Sequence, residues 1–482
     1  MNVSPSAARP SPSSFSGRAI GLESVAVNDY EYDLITIGAG GGAYPAAFQL
    51  ARTGQRVLML DPKGLMSGNC LAEGCVPSKT IREGAELYRG VRTMPYFRTE
   101  APPDYRSMVA FKDSVQQLRY QQHDQELASL GDRIRLIDGI ATLLDPHTVA
   151  FETKSEVRAV TAKYILLASG SDISIPPITG IEHCVTSRDL FAVSPTVTEL
   201  PAKLAVIGGG YIGLEVATMW HALGVDVTVF EVADQLLPGM DPGFAKLVAE
   251  GLAQGISVEL GAEVTEVDDH HRVKYSKLGK SLLFEADLVL LATGRHPVLP
   301  LGAEALGLLD ERGRLVVGPG GTTRERSIFA AGDITGTQML FHAATRESLA
   351  VAHNILAGRT VDRVDPQTIP ATIFTFPEAA WVGSTRADLA TRGIETVEVA
   401  APFDHEARTQ ILNEPYGEVR LFGEARSGRL LGAWVVGKEA GQLIGELATA
   451  IALGATIADV ASVADQHPLA HEAISRAART LV

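Results

Sequence analysis

Two cysteines, Cys70 and Cys75, are the residues whose type and spacing most directly indicate chemistry. Four residues separate them, so one turn of helix would bring both sulfurs to one side, and a disulfide between them would close only a short loop. Such a bridge adds little stability, and strained or exposed disulfides are the ones that react. We therefore interpret the pair as a redox dithiol. Two structural thiols or half of a metal site are the alternatives, although no second cysteine pair is present to complete a tetrahedral site.

A nucleotide-binding pattern precedes the cysteines. The apolar run 34–37 leads into a glycine-rich turn that contains Gly38, Gly40 and Ala43, and a helix-like stretch follows. A second apolar run then ends on Asp61. Strand, glycine turn, helix, strand and acid are the parts of a dinucleotide-binding βαβ unit. In such a unit the helix N-terminus faces a pyrophosphate, and the acid accepts hydrogen bonds from ribose hydroxyls.

The same unit recurs farther along the chain. Three landmarks repeat at one offset of 170 residues, namely the first glycine of the turn, the glycine after the helix and the terminal acid. Two dinucleotide-binding domains are therefore predicted. A carboxylate at Glu231 would accept from the ribose diol and repel a 2′-phosphate, and no basic residue lies in 232–235, so NAD is favoured over NADP. The second fingerprint comprises Gly208, Gly210, Gly213 and Glu231.

Composition limits the classes of function. The chain has 482 residues, of which 46% are hydrophobic, so it can build sizeable cores. Its net charge of −15 argues against nucleic acid and anionic membranes as partners. No apolar run reaches the roughly 18 residues that a membrane span needs. Three cysteines do not make a secreted disulfide framework, so we expect a soluble protein of a reducing compartment, the cytoplasm.

Residues 1–29 differ from the rest of the chain. Ser, Pro and Ala dominate up to Gly21, and Arg9 and Arg18 occur there with no acidic residue before Glu23. Because such a composition cannot bury a core, a disordered tail is predicted. A transit peptide has the same Arg- and Ser-rich signature, but the tail lacks a clear apolar stripe at helical spacing.

The remaining segments predict the elements around the two units. Residues 104–130 have the mixed pattern of a surface helix. Two buried strands end in glycine turns at Gly170 and Gly294, and we interpret both as chain crossings between the nucleotide domains. After residue 367 the pattern changes to alternating strands with helices, which predicts an antiparallel sheet domain.

Together these motifs resemble the class I pyridine nucleotide–disulfide oxidoreductases, and within that family they are most similar to the dihydrolipoamide dehydrogenases. The motifs occur in one order: the first fingerprint, Cys-x4-Cys with Val-Pro-Ser-Lys, the second fingerprint, Ala-Thr-Gly-Arg, Ala-Gly-Asp and His-Pro-x-x-x-Glu. The resemblance implies an α/β fold with two Rossmann-like domains, one for FAD and one for NAD, and a C-terminal α+β dimerisation domain. The predicted divisions are a tail (1–29), the FAD domain (30–160 and 286–366), the NAD domain (161–285) and the dimerisation domain (367–482).

The resemblance also implies which residues bind the cofactors. The first fingerprint would bind FAD and the second NAD, with Asp333 on the ribityl chain of FAD. The turns at Gly170 and Gly294 would lie at the cofactor sites, and Lys79 would lie near the flavin N5. The cofactor-binding set is therefore Gly38, Gly40, Ala43, Asp61, Lys79, Gly170, Asp333, Gly208, Gly210, Gly213, Glu231 and Gly294.

Catalytic roles follow from the same resemblance. Cys75, near a helix expected to begin around Pro77, would be the thiolate that faces the flavin, and a helix N-terminus lowers a thiol pKa. Cys70 would exchange with the substrate disulfide, and Lys79 would pair with Glu215. His467 would be the base, oriented by Glu472, and would serve the disulfide of the other subunit of a homodimer.

The implied reaction oxidises dihydrolipoamide on a lipoyl-carrying protein or complex and reduces NAD through the disulfide and FAD. Some residues depart from the family pattern, notably Asn69, Glu73 and His471, and these departures lie near the expected substrate channel. One alternative is a related reductase of another disulfide or of a metal ion. Another is a flavoprotein scaffold that has lost turnover, which the complete catalytic set argues against.

Overall fold

The computed structural model describes residues 30–98, 101–252 and 254–481. The tail predicted to be disordered, 1–29, lies outside these residues. The described residues form 21 strands and 13 α-helices. The strands are β1 (Tyr32–Ile37), β2 (Val57–Asp61), β3 (Ile134–Asp138), β4 (Ile140–Asp145), β5 (Thr148–Glu152), β6 (Val157–Leu167), β7 (Ser171–Ile173), β8 (Lys203–Ile207), β9 (Asp226–Glu231), β10 (Ser257–Leu260), β11 (Glu263–Val267), β12 (Arg272–Lys277), β13 (Lys280–Glu285), β14 (Leu288–Leu291), β15 (Arg295–Pro297), β16 (Ile328–Ala330), β17 (Ala371–Ile373), β18 (Ala379–Gly383), β19 (Thr396–Pro402), β20 (Gly417–Glu424) and β21 (Leu430–Gly437). The helices are α1 (Tyr44–Arg52), α2 (Gly68–Ala72), α3 (Cys75–Thr93), α4 (Tyr105–Ser129), α5 (Ser187–Phe191), α6 (Tyr211–Ala222), α7 (Pro242–Leu252), α8 (Phe341–Ala357), α9 (Arg386–Thr391), α10 (Ala407–Ile411), α11 (Ala440–Leu453), α12 (Ile457–Ala461) and α13 (Glu472–Arg479).

The first βαβ unit forms where the sequence predicts it. β1 and β2 are short apolar strands that pair in parallel, with Ile35 opposite Leu58, and α1 connects them. The turn into α1 needs glycine at position 38, because its φ is +108° and a Cβ there would lie 2.1 Å from the Ala168 carbonyl oxygen. This close approach sets the end of β1 against the end of β6.

Parallel strands form the centre of both nucleotide-type sheets. In the first sheet the order is β3-β2-β1-β6, and β16 lies beside β6 on its other side. In the second sheet the order is β10-β9-β8-β14, which is the same order relative to the glycine turn. Ligands of such sheets bind beyond the carboxyl ends of the strands, where both glycine turns lie.

Two of the predicted domain boundaries are corrected by the strand pairing. The boundary at 160 falls inside β6, whose residues 162–167 pair with β1 and therefore belong to the first sheet. The boundary at 285 precedes β14, which pairs with β8 in the second sheet. An apolar run does not reveal which of two similar sheets it joins, because both sheets bury strands of the same kind. The chain leaves the first sheet after β6 and the second sheet after β14.

The two predicted chain crossings lie side by side. β7 follows β6, β15 follows β14, and the two short strands pair antiparallel with Asp172 opposite His296. The glycines before them have positive φ, +75° at Gly170 and +101° at Gly294. Each crossing therefore turns sharply as it leaves its sheet.

The C-terminal region is an antiparallel sheet of five strands in the order β17-β18-β21-β20-β19, as the alternating pattern predicted. α11 and α13 cover one face of this sheet and share a buried core with it. The predicted fold class, two dinucleotide-binding sheets followed by an α+β domain, is confirmed.

Candidate active site

The two cysteines lie on consecutive helices. Cys70 is within the five-residue helix α2, and Cys75 is the first residue of α3. The sequence predicted one turn of helix between them, and a helix beginning around Pro77. Instead Glu73 and Gly74 interrupt the helix, and a Cβ on Gly74 would lie 2.9 Å from the Asn69 carbonyl oxygen. Both cysteines are free thiols in this structure.

The two thiols differ in acidity because one donates a hydrogen bond to the other. The side chain of Cys70 lowers the pKa of Cys75, burial opposes this effect, and the Lys79 ammonium lowers the pKa further. The same hydrogen bond, together with burial, raises the pKa of Cys70. Of the two groups, Cys75 is therefore the one favoured as the thiolate and Cys70 the one favoured as the thiol.

Lys79 is held one turn beyond Cys75 on α3. Its Nζ lies 2.6 Å from Glu215 Oε2 on α6 and 4.5 Å from the centre of the Phe374 ring. Glu215 Oε1 accepts a hydrogen bond from the backbone N–H of Phe374 at 3.0 Å. The Glu215 carboxylate on α6 thus connects the second nucleotide domain with α3, which carries Cys75 and Lys79, and with the start of the C-terminal domain. No sequence motif indicated that Phe374 would contact this ion pair.

The residues that depart from the family pattern near the cysteines make internal contacts. Glu73 is 4% exposed and accepts from Arg188 Nε at 2.8 Å and Nη2 at 3.1 Å. Although burial alone would raise the pKa of Glu73, Arg188 and Lys63 lower it. Asn69 Nδ2 donates to the Ser171 carbonyl at 2.8 Å. Asn69 and Glu73 therefore bind the segment around Cys70 to other parts of the same chain.

Ser171 connects the Ala-Gly-Asp and Ala-Thr-Gly-Arg motifs, although no sequence pattern indicated a role for it. Its hydroxyl donates to Asp333 Oδ2 at 2.5 Å and accepts from Arg295 Nε at 2.8 Å. Arg295 Nη2 also donates to the Ser171 carbonyl at 2.8 Å. Asp333 is thereby held beside both chain crossings. Arg295 ends the Ala-Thr-Gly-Arg motif, and that membership was the only signal that could have indicated its part in the site.

The two fingerprints share a pattern of hydrogen bonds as well as a pattern of residues. Asp61 accepts from the backbone N–H of Ala39 at 3.1 Å and of Lys63 at 2.9 Å. Glu231 accepts from the N–H of the residues 170 positions later, Gly209 at 2.7 Å and Ala233 at 2.8 Å. Burial raises the pKa of Asp61 against these bonds. Each acid is thus fixed at the edge of its glycine turn, and each carboxylate oxygen keeps a second lone pair for a ribose hydroxyl.

The glycine turns fit dinucleotides. A Cβ on Gly208, where φ is +112°, would lie 2.4 Å from the Ala292 carbonyl oxygen, and one on Gly213 would lie 2.2 Å from the Gly208 carbonyl oxygen. A Cβ on Gly210 would meet no atom within 4 Å, and one on Gly40 would meet only the Gly68 backbone, at 3.7 Å. The space beside Gly40 and Gly210 is therefore free of side-chain atoms, whereas a Cβ on Gly41 would meet the Phe341 ring at 2.9 Å. The first N–H groups of a helix lack partners within it, and in α1 the Ala46 N–H donates to Ser348 Oγ at 3.0 Å. Ala43, the residue before α1, is fully buried.

His467 and Glu472 form a second cluster at the C-terminus. His467 Nδ1 lies 3.1 Å from both carboxylate oxygens of Glu472, and Glu472 also accepts from the Leu469 N–H at 3.0 Å. Burial alone would raise the pKa of Glu472, but the hydrogen bonds from His467 and Leu469 lower it. The His467 side chain is 70% exposed. Among the described residues, no hydrogen bond or ion pair joins this cluster to Cys70 or Cys75.

Models of known families match most of the chain. The pyridine nucleotide-disulphide oxidoreductase model matches residues 32–348, and the dimerisation domain model of the same family matches residues 369–478. The chain belongs to this family. FAD and NAD are the cofactors of the family, and the two glycine turns and their acids fit them.

Individual relatives show which members of the family the chain is similar to. The chain is 34% identical to dihydrolipoamide dehydrogenase of Chaetomium thermophilum, over 92% of this chain and 90% of that protein. It is 35% identical to dihydrolipoyl dehydrogenase of Haloferax volcanii, over 92% of this chain and 95% of that protein. Among solved structures, the Cu(II) complex of the HOCl-induced flavoprotein disulfide reductase RclA from Escherichia coli has a TM-score of 0.82 and 25% identity, over 94% of this chain and 99% of that one. The chain is therefore an oxidoreductase of the disulfide reductase family.

Within 30–98, 101–252 and 254–481, no helix is both long enough and apolar enough to cross a bilayer.

Proposed function

We propose that this protein oxidises protein-bound dihydrolipoamide to lipoamide and reduces NAD to NADH through the Cys70–Cys75 disulfide. The observation that carries the proposal is the asymmetric thiol pair beside the Lys79–Glu215 ion pair. The curated dihydrolipoamide dehydrogenases that match over about nine-tenths of the chain support the choice of substrate. Because the departures at Asn69 and Glu73 make internal contacts, they give no reason to prefer a different substrate.

The difference between the thiols orders the sulfur chemistry. A substrate thiolate attacks Cys70 Sγ, the Cys70–Cys75 bond breaks, and Cys75 leaves as the thiolate, since a thiol of lower pKa is the better leaving group. The second substrate thiolate then attacks the substrate sulfur bound to Cys70. This step closes the lipoamide disulfide and releases Cys70, which takes up a proton. The pair finishes with two more electrons than it began with, and lipoamide has two fewer than dihydrolipoamide.

The cofactors supply the remaining redox chemistry. FAD would supply a two-electron acceptor for the dithiol, and NAD would supply the final hydride acceptor. The residues proposed to hold FAD are Gly38, Gly40, Ala43, Asp61, Lys79, Gly170 and Asp333. Those proposed to hold NAD are Gly208, Gly210, Gly213, Glu231 and Gly294. Glu231 selects NAD, because its carboxylate repels a 2′-phosphate and the adjacent residues 232–235 include no cation.

We assign proton transfer to His467 of a second copy in a homodimer. The ring has Nε2 free of the Glu472 contact, because both contacts to Glu472 are made by Nδ1. Glu472 therefore orients the ring and stabilises its protonated form while Nε2 takes a proton from the substrate thiol. The match to a dimerisation domain supports this arrangement, as does the absence, within the described residues, of a hydrogen bond or ion pair between His467 and the cysteines of its own chain.

We also propose the setting in which the reaction occurs. The partner that delivers the substrate is a lipoyl-carrying protein or complex. A pair that must return to its dithiol in each cycle suits a reducing compartment, and we infer the cytoplasm.

The test is an anaerobic titration of the FAD-loaded protein with dihydrolipoamide and then NAD. We expect a long-wavelength thiolate–flavin absorbance on reduction, and its loss as NADH forms at 340 nm. The Cys70→Ser variant should keep the bound flavin and form no NADH. Reduction by NADH without any response to dihydrolipoamide would contradict the proposed substrate.

A second candidate is the reduction of another disulfide or of a metal ion by NADH. The likeness to RclA, whose solved structure is a Cu(II) complex, favours it. Against a resident metal site, the described residues include no group of three or more His, Cys, Asp or Glu side chains that could hold a metal ion. NADH oxidation that depends on added Cu(II), with none on lipoamide, would favour this candidate.

A further inference from the structure

Helix α4 presents buried polar side chains to the redox segment, although its sequence predicts an ordinary surface helix. Lys112 and Gln116 are 0% exposed and His123 is 4% exposed. Their spacings of four and seven residues place them on one face of the helix. A buried polar stripe costs free energy unless each group is hydrogen-bonded, so its partners indicate what it does.

Gln116 holds the C-terminal end of α2. Its Nε2 donates to the carbonyl of Leu71 at 2.8 Å and to the carbonyl of Ala72 at 3.1 Å. The last carbonyls of a helix have no partner within it, and a helix of only five residues has little cooperativity of its own. These bonds act on the two residues that directly follow Cys70.

Lys112 fixes the orientation of the Gln116 amide. Its Nζ donates to Gln116 Oε1 at 2.9 Å, which leaves the amide nitrogen directed at α2. Lys112 is in turn held by the carbonyl of Ala192 at 2.6 Å and by Asp113. The donor is thus preorganised by a second buried group.

His123 holds the opposite end of α2. Ser67, the residue before the helix, has a left-handed backbone with φ of +71°. Its hydroxyl lies 2.8 Å from His123 Nε2, and His123 Nδ1 lies 3.3 Å from Glu126 Oε2. A non-glycine residue in this conformation is strained, and the buried hydrogen bond offsets that strain.

We propose that Gln116 and His123 are positioning residues that hold α2 at both ends and thereby set the equilibrium between the dithiol and the disulfide of Cys70 and Cys75. This inference rests on one part of the proposed function, namely that Cys70 and Cys75 interconvert between dithiol and disulfide. The hydrogen bond from Cys70 to Cys75 requires α2 to keep its place relative to α3. Loosening α2 weakens that bond, which stabilises only the reduced pair, so the disulfide becomes harder to reduce.

The experiment measures this equilibrium in the FAD-loaded protein with dithiothreitol buffers of graded ratio. Reduction breaks the Cys70–Cys75 bond, oxidises dithiothreitol to its cyclic disulfide, and leaves one thiol, one thiolate and one released proton. The products are trapped with N-ethylmaleimide and quantified by peptide mass. The matched control is Gln117→Met, because Gln117 is an exposed neighbour on the same helix.

Gln116→Met keeps the length of the side chain and removes the donor. We expect it to lower the equilibrium constant for reduction about tenfold, which corresponds to about 30 mV, because two hydrogen bonds are lost. Ser67→Gly removes the His123 contact and relieves the backbone strain, and it should lower the constant by about threefold. Gln117→Met should leave it unchanged.

A constant within about twofold of the unsubstituted protein in both variants, even with a lower melting temperature, would show that α4 serves packing only and would overturn the proposal. If Gln116→Met does not fold, Ser67→Gly decides between the two outcomes. The measurement uses no lipoyl substrate. A protein that fails to oxidise dihydrolipoamide but shows these shifts would refute the proposed function and support this inference.

Discussion

The proposal that His467 serves the cysteines of the other subunit leads to a prediction about subunit composition. Consider a heterodimer in which one chain carries Cys70→Ser and the other His467→Gln. If each site combines the cysteines of one chain with the histidine of the other, one of the two sites has lost both groups. The second site is intact, because its cysteines and its histidine come from the unsubstituted positions.

The expected magnitude follows from this count. Each homodimer should be inactive or nearly so, since the loss of a general base alone costs about 100- to 10,000-fold. The heterodimer should have about half of the activity of the unsubstituted dimer, because a two-fold dimer has two equivalent sites. The assay is NADH formation from dihydrolipoamide, with heterodimers isolated through two different affinity tags.

A second heterodimer, with both substitutions on the same chain, makes the test decisive. Here one chain carries both substitutions and the other carries none. With shared sites neither site is complete and activity should fall to the level of the homodimers, whereas sites within one chain would retain about half. The shared site would be refuted if the heterodimer with the substitutions on different chains were inactive and the heterodimer with both substitutions on one chain kept half of the activity.

Three further predictions concern single groups. Glu231→Gln should reduce the ratio of kcat/KM for NAD to kcat/KM for NADP by about tenfold, because the charge that repels the 2′-phosphate is lost. The control Asp234→Asn, at an exposed neighbouring position, should leave this ratio unchanged. An unchanged ratio in Glu231→Gln would argue against the role of Glu231. Lys79→Met should raise the pKa of Cys75, because the ammonium that stabilises the thiolate is lost. The pH titration of the thiolate absorbance should therefore move to higher pH, and an unmoved midpoint would show that Lys79 does not act on this thiol. Burial, and then the charge of Asp333, raise the pKa of Glu347 to about 7 against a backbone hydrogen bond. Because the folded value lies above the unfolded one, stability from this group is present at low pH and is lost as pH rises through about 7. Glu347→Gln should therefore be more stable than the unsubstituted protein at pH 8 by about 1–3 kcal/mol in urea unfolding and equally stable at pH 4, and a constant difference at both pH values would contradict this reasoning.

Features whose parts are close in the chain could be predicted without the structure. The glycine turns, their terminal acids and the spacing of Cys70 and Cys75 are local patterns, and the repeat at 170 residues identified a second nucleotide domain. Backbone sterics at Gly38 and Gly208 restrict which residues can form these turns, so the residue type itself carries the signal.

Other features depend on contacts between distant parts of the chain. Three features depend on such contacts: the pairing of β14 with the second sheet, the hydrogen bonds of Ser171 with Asp333 and Arg295, and the hydrogen bonds from Gln116 to the end of α2. Ser171 and Asp333 are 162 residues apart, and Gln116 and Leu71 are 45 apart. A serine in a turn or a glutamine on a polar helix is compatible with many surroundings, since only burial distinguishes a satisfied internal donor from a solvated one. The amino-acid sequence by itself therefore determined the two glycine turns, the spacing of the cysteine pair and the class of fold. The tertiary structure decided which sheet each apolar strand joins and which polar side chains contact α2 beside Cys70.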